Sequence, residues 1–505
     1  MILSPIQEEI VTTPGNLIVR ASAGTGKTHT MVAKIANEIE NNHTHKVVAA
    51  ITFTIKAAQE IKDRLAIDIS QHFIGTNNSF AIEEIIKPFM KDVYGEDFDL
   101  DMSTDYSIRI ATLKDGIEQI RTNKTLCSYA DNKKNFIFEL AQYILERSLA
   151  CRLYLKSKYF KIYIDEYQDC DKDMHKLFMY ICDELHIETF VVGDEKQSIY
   201  IWRGAYPEAF KSIWEKENFK RIFMGDNFRS CQQIQNYSNL LCKETRSLYK
   251  SIDSLKNIIW LAPTSTTWVS EVLENINREK KSALLRFSNA NAQHGAELIT
   301  TAGMECIFIP QTPIADITTD TAWLYSAVAK YIIIEQYSAY DFISEIPAEG
   351  NDNRKTVASI RGYLEKIMLE ASKNNKDGFS DNIKKLAEYT GYFAKSSHIE
   401  KLYDTVIDTK YHVAFEPDKY LHIAITFHSS KGLEFEQVIV FAEDYRLSDM
   451  ASIYNHYVAV TRAKSKLIIV KLNDYNSNCF QANLANLFAE SKLKISDVVS
   501  YNKTT

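Results

Sequence analysis

A short segment rich in small residues near the start of the chain has the composition of a phosphate-binding loop. It lies between the apolar run Leu17–Val19 and a segment in which Met31, Ile35 and Ile39 recur with helical spacing. Small residues let successive backbone N–H groups wrap a phosphate, while a lysine neutralises the β- and γ-phosphates and a threonine hydroxyl holds Mg²⁺. A glycine-rich turn is the alternative, and the strand–loop–helix context favours the P-loop. The segment consists of Ala21, Ser22, Ala23, Gly24, Thr25, Gly26, Lys27 and Thr28.

Two acids, Asp165 and Glu166, come directly after the apolar run Ile162–Ile164. A carboxylate at the C-terminal end of a buried strand lies where a neighbouring P-loop presents Mg²⁺. Asp165 is therefore predicted to hold Mg²⁺, directly or through water, and Glu166 to polarise an attacking water. A pair of solvated acids in a loop is the alternative, and the buried strand before them argues against it.

Composition is that of a soluble globular protein. Of 505 residues, 45% are hydrophobic and 25% charged, with 9 Pro and 16 Gly, which excludes a disordered chain. The net charge of −7 excludes bulk attraction to nucleic acid, so such a contact requires a local groove. The 8 cysteines form no C-x-x-C pair, which disfavours zinc ribbons and iron–sulfur clusters and fits a reducing cytosol. The N-terminus lacks export features and no apolar run approaches about 20 residues, so we expect a cytoplasmic protein without membrane contact.

The order of the apolar runs predicts the fold class. Short Val/Ile-rich runs alternate with helical patterns early in the chain and again late, from Ile222–Phe223 to Leu467–Val470. Such runs are typical of strands buried on both faces of a parallel sheet. Two α/β domains are therefore predicted, with parallel sheets flanked by helices, and each is interrupted by a mainly helical insertion. The domains are residues 1–80 with 155–215 and 216–311 with 417–485; the insertions are 81–154 and 312–416, and 486–505 form a tail.

The segment Asp165-Glu166-Tyr167-Gln168-Asp169 resembles the D-E-x-Q-D motif of superfamily 1 helicases of the UvrD/Rep/PcrA type. The other motifs of that family follow in order across most of the chain, and their joint occurrence is far more specific than any one of them. The resemblance implies two RecA-like domains, ATP and Mg²⁺ as cofactors, and 3′→5′ translocation on single-stranded or tailed DNA. The further matching segments are residues 3–7, 52–58, 75–80, 192–204, 227–230, 426–435 and 457–463.

The same resemblance assigns roles at the nucleotide. Gln7 is implied to read adenine and Gln197 to sense the γ-phosphate. Arg229 and Arg462 are implied to be arginine fingers from the second domain, worth roughly 10³–10⁵ in rate in comparable enzymes, so that hydrolysis depends on domain closure. The remaining implied contacts are Phe228 stacked on adenine, Glu434 at the ribose or its phosphates, and His29 where the family often has Arg near the base.

Roles at DNA are implied in the same way. Phe53, Tyr200 and Trp202 would stack on bases, which contributes roughly 1–3 kcal/mol per base for any sequence. Core packing is the alternative for Phe53, because most of the 28 Tyr and 25 Phe must be buried, and the motif context favours DNA. Arg203 is either a phosphate or carboxylate contact or an ion pair that orders its segment. The other implied DNA contacts are Thr54, Asn78, Thr426 and His428.

The second insertion is small for this family, and the chain after residue 473 is too short for a nuclease domain. A compact member of this kind resembles the helicase-like subunit of the Gabija anti-phage system, which works beside a separate nuclease of the overcoming-lysogenization-defect type. The resemblance implies a role in antiviral defence and a nuclease partner. Two alternatives stay open: a DNA-stimulated NTPase switch that regulates a nuclease without robust unwinding, and a compact DNA-repair helicase.

Overall fold

A computed structural model describes residues 3–65, 67–98, 101–131, 133–198, 206, 208–317, 319, 321–346, 354–475 and 479–501. The chain divides into two compact units, Met1–Phe228 and Arg229–Thr505. The strands of the first unit are β1 Leu17–Ala21, β2 Val47–Thr52, β3 Phe73–Thr76, β4 Ser103–Ile110, β5 Thr125–Tyr129, β6 Tyr159–Ile164, β7 Glu188–Gly193 and β8 Lys220–Met224. Its helices are α1 Pro5–Thr12, α2 Lys27–Glu40, α3 Ile55–Arg64, α4 Asn77–Ala81, α5 Lys87–Tyr94, α6 Leu113–Asn123, α7 Phe136–Arg147, α8 Leu149–Lys158, α9 Lys172–Asp183 and α10 Glu208–Glu215.

Six of these strands form one parallel sheet in the order β3-β2-β6-β7-β1-β8. Alternate residues of each strand face opposite sides, so Ile18 packs in one core while Leu17 and Val19 pack in the other. Helices cover both faces, which explains why these strands are almost continuously apolar. The predicted parallel α/β fold is confirmed for this unit.

The second unit contains a parallel sheet in the order β11-β12-β10-β13-β14-β9-β15. Its strands are β9 Ile258–Leu261, β10 Ser282–Arg286, β11 Ile307–Phe308, β12 His422–Thr426, β13 Phe435–Phe441, β14 Ala463–Val470 and β15 Ser500–Tyr501. Its helices are α11 Gln232–Leu240, α12 Trp268–Asn275, α13 Asn289–Thr301, α14 Ala322–Ile333, α15 Ala339–Ser344, α16 Arg354–Ser372, α17 Lys376–Tyr389, α18 Ser396–Ile407, α19 Met450–Val460 and α20 Phe480–Ala489. Helices α14 to α18 share a core of their own, within the range predicted as the second insertion.

Three details of the predicted organisation differ from the structure. Strand β8 pairs with β1, so the run that contains Ile222 completes the first sheet and does not begin the second. Strand β15 pairs with β9, so the predicted tail contributes a strand to the second sheet. The segment 81–154 also contains the parallel pair β4 and β5 and is therefore not purely helical. Strand partnership is a long-range property that local periodicity does not carry.

Candidate nucleotide and DNA sites

The carboxyl ends of the strands in the first sheet carry most of the predicted site residues. The P-loop follows β1, Asp165 follows β6, and Asp194 follows β7. Because the strands are parallel, these ends lie at one edge of the sheet, where α/β proteins bind their ligands. Phe53 follows β2, which lies next to β6, and Asn78 lies just beyond β3, which lies next to β2 at the edge of the sheet. The nucleotide candidates and the DNA candidates of this unit therefore occupy neighbouring stretches of one edge.

Two glycines shape the P-loop. Gly24 has φ 73° and Gly26 has φ 81°, in the left-handed region that residues with a Cβ rarely adopt. The Ser22 N–H donates to the Met224 carbonyl at 3.1 Å, which holds the start of the loop against the end of β8. Helix α2 begins at Lys27, directly after Gly26. Its first N–H groups lack intrahelical partners, and their partial positive charge favours a phosphate.

Gln7 lies in α1 with its amide against the P-loop. Its Nε2 donates to the Thr25 carbonyl at 3.2 Å, and its Oε1 accepts from the Ser4 N–H at 2.9 Å as half of a capping box. A Cβ at Gly26 would lie 3.1 Å from Nε2, so the amide packs closely on the loop. The structure thus brings Gln7 to the P-loop and orients its side chain there.

The predicted catalytic acids face the P-loop. The Thr28 hydroxyl donates to Asp165 Oδ2 at 3.4 Å, and Lys27 Nζ lies 3.9 Å from Glu166 Oε1. Glu166 adopts a left-handed conformation with φ 49°, and its N–H donates to Asp165 Oδ1 at 2.8 Å. Burial and the neighbouring Glu166 carboxylate raise the pKa of Asp165 well above its usual range, while Lys27 opposes this shift. The structure therefore brings Lys27, Thr28, Asp165 and Glu166 together at one point, and their roles at a nucleotide stay predictions.

The donor set at this point fits Mg²⁺. Thr28 and Asp165 offer a hydroxyl and a carboxylate oxygen, which are ligands that Mg²⁺ prefers, and Mg²⁺ usually completes its shell with phosphate and water. A cation beside the buried Asp165 would also offset the burial that raises its pKa. Within the described ranges, no group of three or more His, Cys, Asp or Glu is placed to hold a metal by itself.

A buried network joins the predicted γ-phosphate sensor to the P-loop. Gln197 Nε2 donates to Asp194 Oδ2 at 2.9 Å, and Lys196 Nζ lies 2.8 Å from Asp194 Oδ1 and 3.3 Å from Ser22 Oγ. Burial raises the pKa of Asp194, but the nearby Lys196 and Lys27 ammonium groups outweigh it and hold that pKa below its usual range. Sequence analysis missed Lys196, although a lysine between a strand end and a predicted phosphate sensor is itself a usable signal.

Two residues predicted near the base lie in the first unit. The Phe228 N–H donates to the Gly24 carbonyl at 2.9 Å, and its side chain is 63% exposed. The predicted boundary at residue 216 assigns Phe228 to the second domain, but β8 pairs with β1 and the first unit extends to Phe228. His29 is half-buried in α2, and burial lowers its pKa. Its Nε2 has no hydrogen-bond partner among the residues that the structure describes.

Among the described DNA candidates of the first unit, Thr54 is exposed, whereas Phe53 and Asn78 are half-buried. Phe53 is half-buried and packs against the core. Part of its ring therefore takes part in core packing, and the exposed part leaves the stacking role at DNA open. The Thr54 hydroxyl accepts from the Ala57 N–H at 3.1 Å and caps α3. Asn78 Nδ2 donates to the Tyr106 hydroxyl at 3.1 Å. The predicted contacts Tyr200, Trp202 and Arg203 lie outside the described residues.

The predicted arginine fingers belong to the second unit, where they lie around the end of α19. Arg229 pairs with Glu434 at 2.5 Å and donates to the Thr461 carbonyl at 3.3 Å. Arg462 is almost fully buried, and its Nε donates to the Val458 carbonyl at 3.0 Å. Lys464 approaches Glu434 at 3.2 Å from the other side. Burial raises the pKa of Glu434, but Arg229 and Lys464 outweigh it and hold that pKa low.

An exposed aromatic that sequence analysis missed lies beside the DNA candidates of the second unit. Phe287 follows β10, is 51% exposed, and its ring centroid lies 5.9 Å from that of His428. Its N–H donates to Asp444 Oδ2 at 3.0 Å. Thr426 ends the neighbouring strand β12, and its hydroxyl accepts from the Ser429 N–H at 3.2 Å. The usable signal is a phenylalanine directly after a buried strand, where a loop normally begins.

Comparison with known families defines the class of protein. The family model of the UvrD/REP helicase N-terminal domain matches residues 3–146 and 133–218, and that of the UvrD-like helicase C-terminal domain matches residues 421–470. The chain therefore belongs to the UvrD/REP helicase family and is an ATP-dependent DNA helicase, which is a hydrolase. Among its relatives, Gabija protein GajB of Bacillus cereus strain VD045 is 40% identical over 498 residues, which is 97% of this chain and 98% of that protein.

Two other helicases match over a smaller part of the chain. DNA helicase II of Haemophilus influenzae is 28% identical over 292 residues, which is 47% of this chain and 40% of that protein. ATP-dependent DNA helicase PcrA of Staphylococcus aureus strain Mu50 is 28% identical over 294 residues, which is 47% of this chain and 39% of PcrA. None of the helices in the described ranges has the length and apolar character that a membrane crossing needs.

Proposed function

We propose that this chain is an ATP- and Mg²⁺-dependent motor that moves 3′→5′ along single-stranded DNA and acts in antiviral defence in the cytoplasm. The observation that carries the proposal is the meeting of the P-loop pair, Lys27 and Thr28, with the acids Asp165 and Glu166 in a chain of this helicase family. Lys27 neutralises the β- and γ-phosphates, Thr28 and Asp165 hold Mg²⁺, and Glu166 polarises the attacking water.

The remaining nucleotide candidates take the roles that their positions favour. Gln7 and Phe228 contact the base. His29 on α2 belongs to the same set by resemblance alone. The Gln197 amide senses the γ-phosphate by hydrogen bonding, and Asp194 orients that amide. Arg229 and Arg462 stabilise the negative charge that develops on the phosphates in the transition state. Glu434 holds Arg229 in an ion pair until the ribose or the phosphates of the nucleotide arrive. Hydrolysis in this proposal requires the second unit, so turnover is coupled to motion.

DNA runs, in this proposal, along the carboxyl ends of both sheets. Phe53, Thr54 and Asn78 contact it from the first unit, and Tyr200, Trp202 and Arg203 belong to the same set by resemblance alone. Thr426 and His428 contact it from the second unit. Phe287 extends this set, because an exposed ring beside His428 offers a stacking surface that accepts any base.

Replacing Phe287 by alanine is expected to weaken single-stranded DNA binding by about 5- to 150-fold, the equivalent of roughly 1–3 kcal/mol of lost stacking. Fluorescence anisotropy with a labelled oligothymidine measures the affinity. Phe393→Ala is the matched control, because Phe393 is 71% exposed in the same unit and lies between α17 and α18. Equal affinities for the two variants would remove Phe287 from the DNA path.

A role in defence is supported by the 40% identity, over nearly the full length of both chains, to a protein named for the Gabija system. We propose a nuclease as partner, in a hetero-oligomeric complex. The small second insertion, whose core is built by α14 to α18, supports a second candidate function. In that case the chain is a DNA-gated NTPase switch that regulates the nuclease without robust unwinding.

Two assays run together test the motor against the switch. We expect single-stranded DNA to stimulate ATP hydrolysis, and the motor also predicts displacement of a strand from a duplex with a 3′ overhang. A duplex with a 5′ overhang is the polarity control. Strong hydrolysis without displacement would favour the switch, and displacement from the 5′ overhang alone would contradict the proposed direction.

A further inference from the structure

A cluster of buried charged side chains lies behind the P-loop, in the interior of the first unit. Lys34 on α2 and Lys161 on β6 have no exposed side-chain surface. Both ammonium groups bind Glu38, at 2.7 and 2.9 Å, and the Tyr163 hydroxyl donates to the same carboxylate at 2.5 Å. Lys161 also lies 3.2 Å from Glu188 at the start of β7. Helix α2, which begins at the P-loop lysine, is thereby tied directly to β6 and, through Lys161, to the start of β7.

Lys34 also binds the end of α1. Its Nζ donates to the Thr13 carbonyl at 2.6 Å and to the Val11 carbonyl at 3.3 Å. The last carbonyls of a helix lack intrahelical partners and carry partial negative charge, so an ammonium group there acts as a C-terminal cap. With Glu38 as its third acceptor, the Lys34 ammonium group has a partner for each of its three protons.

The opposite end of α1 contacts the nucleotide loop. Gln7 donates to the Thr25 carbonyl at 3.2 Å and packs against Gly26, where an added Cβ would approach its Nε2 to 3.1 Å. Helix α1 has only 8 residues, and both of its ends are therefore attached to one continuous segment, the P-loop with α2. The position of Gln7 relative to the phosphate loop depends on both attachments.

Stability alone does not account for this arrangement. The desolvation of buried ammonium groups largely offsets their ion pairs, and apolar side chains of similar size often stabilise a core equally well. What the lysine supplies and an apolar side chain lacks is three directed hydrogen bonds that join α1, α2 and, through Glu38, β6.

We propose that Lys34 is a positioning residue that keeps Gln7 in register with the P-loop and so sets the affinity for the nucleobase part of the nucleotide. This inference rests on the base contact assigned to Gln7 in the proposed function. Lys34 acts through α1 and does not touch the phosphates, whose N–H and lysine contacts come from the loop itself. The loss of Lys34 should therefore weaken binding of a nucleotide and spare binding of a ligand without a base.

Calorimetric titration with Mg-ATP and with Mg-tripolyphosphate, which has no base, tests this in the full-length protein. For Lys34→Met we expect ATP affinity to fall about tenfold, while tripolyphosphate affinity stays within about twofold. Gln7→Ala should show the same pattern, and the double variant should lose no more than either single variant, because the two residues act in one chain of contacts. Lys158→Met is the matched control, since Lys158 pairs with Glu84 in the same unit at 2.7 Å.

Thermal unfolding followed by circular dichroism checks that each variant is folded. If Lys34→Met is unfolded, Glu38→Gln replaces it, because it keeps the side-chain size and removes the charge that holds the ammonium group; an ATP-specific loss of about threefold is expected. Equal losses for ATP and tripolyphosphate, or no loss for ATP, would overturn the proposal. Failure of the proposed function looks different: either the unmodified chain does not bind ATP, or Gln7→Ala leaves ATP affinity unchanged.

Discussion

Replacing Glu166 by glutamine is expected to lower the rate of ATP hydrolysis by about 10²- to 10⁴-fold and to leave ATP binding intact. Glu166 Oε1 lies 3.9 Å from Lys27 Nζ, and Glu166 directly follows Asp165, the predicted Mg²⁺ ligand. In this position the carboxylate can polarise a water that attacks the γ-phosphate. Glutamine has the same shape but is a far weaker base, so the loss should appear in kcat and not in the affinity for nucleotide. A phosphate-release assay and a calorimetric titration measure the two quantities.

Glu215→Gln is the matched control for this experiment. Glu215 ends α10 in the same unit, is mostly exposed and pairs only loosely with Lys211. Its replacement should leave hydrolysis within about twofold of the unmodified chain, as is usual for exposed positions. Turnover retained by Glu166→Gln would show that another group activates the water and would remove Glu166 from the catalytic set.

Replacing Arg229 by lysine should reduce kcat for DNA-stimulated hydrolysis by about 10³-fold or more with little change in nucleotide affinity. A planar guanidinium binds two oxygens at once, and lysine cannot reproduce that geometry. In the structure the Arg229 guanidinium binds the Glu434 carboxylate and the Thr461 carbonyl at the same time. The side chain can therefore donate to two acceptors together. Steady-state kinetics with saturating single-stranded DNA separate kcat from KM.

Arg246→Lys controls for a lost arginine in the same unit, since Arg246 pairs with Glu490 and is not among the site candidates. Its hydrolysis rate should match that of the unmodified chain. A rise in KM at constant kcat for Arg229→Lys would mean that Arg229 binds substrate without acting on the transition state. Of the two arginines that make turnover depend on the second unit in this proposal, only Arg462 would then remain.

The nucleotide site was largely predictable from the sequence because its signals are local. The left-handed Gly24 and Gly26 occur where a glycine pattern predicts a tight loop, and Asp165 follows a run whose apolar character marks it as a strand. In a parallel sheet, residues that follow different strands meet at one edge, so recognising each strand is enough to bring Lys27 and Asp165 together. The position of Lys196 in the chain is a local signal, but its contact with Ser22 was not predictable in this way, because it joins residues far apart in the sequence.

The assignment of elements to sheets was less predictable. The run that contains Ile222 has the same composition whichever sheet it joins, and only its pairing with β1 decides that Phe228 lies beside the P-loop. The strands β4 and β5 were missed for a different reason. Most residues of β4 are exposed or half-buried, so it lacks the apolar signal of a core strand.

The sequence by itself determined the chemistry of this protein: a phosphate loop, the acids that face it, and the set of motifs that marks a helicase. Only the tertiary structure decided which strands share a sheet and that Phe287 is exposed beside His428. It also decided that Lys34 on α2 binds the end of α1. The physical reason is one of range. Turn chemistry and periodicity act over a few residues, whereas burial and strand order depend on contacts between residues far apart in the chain.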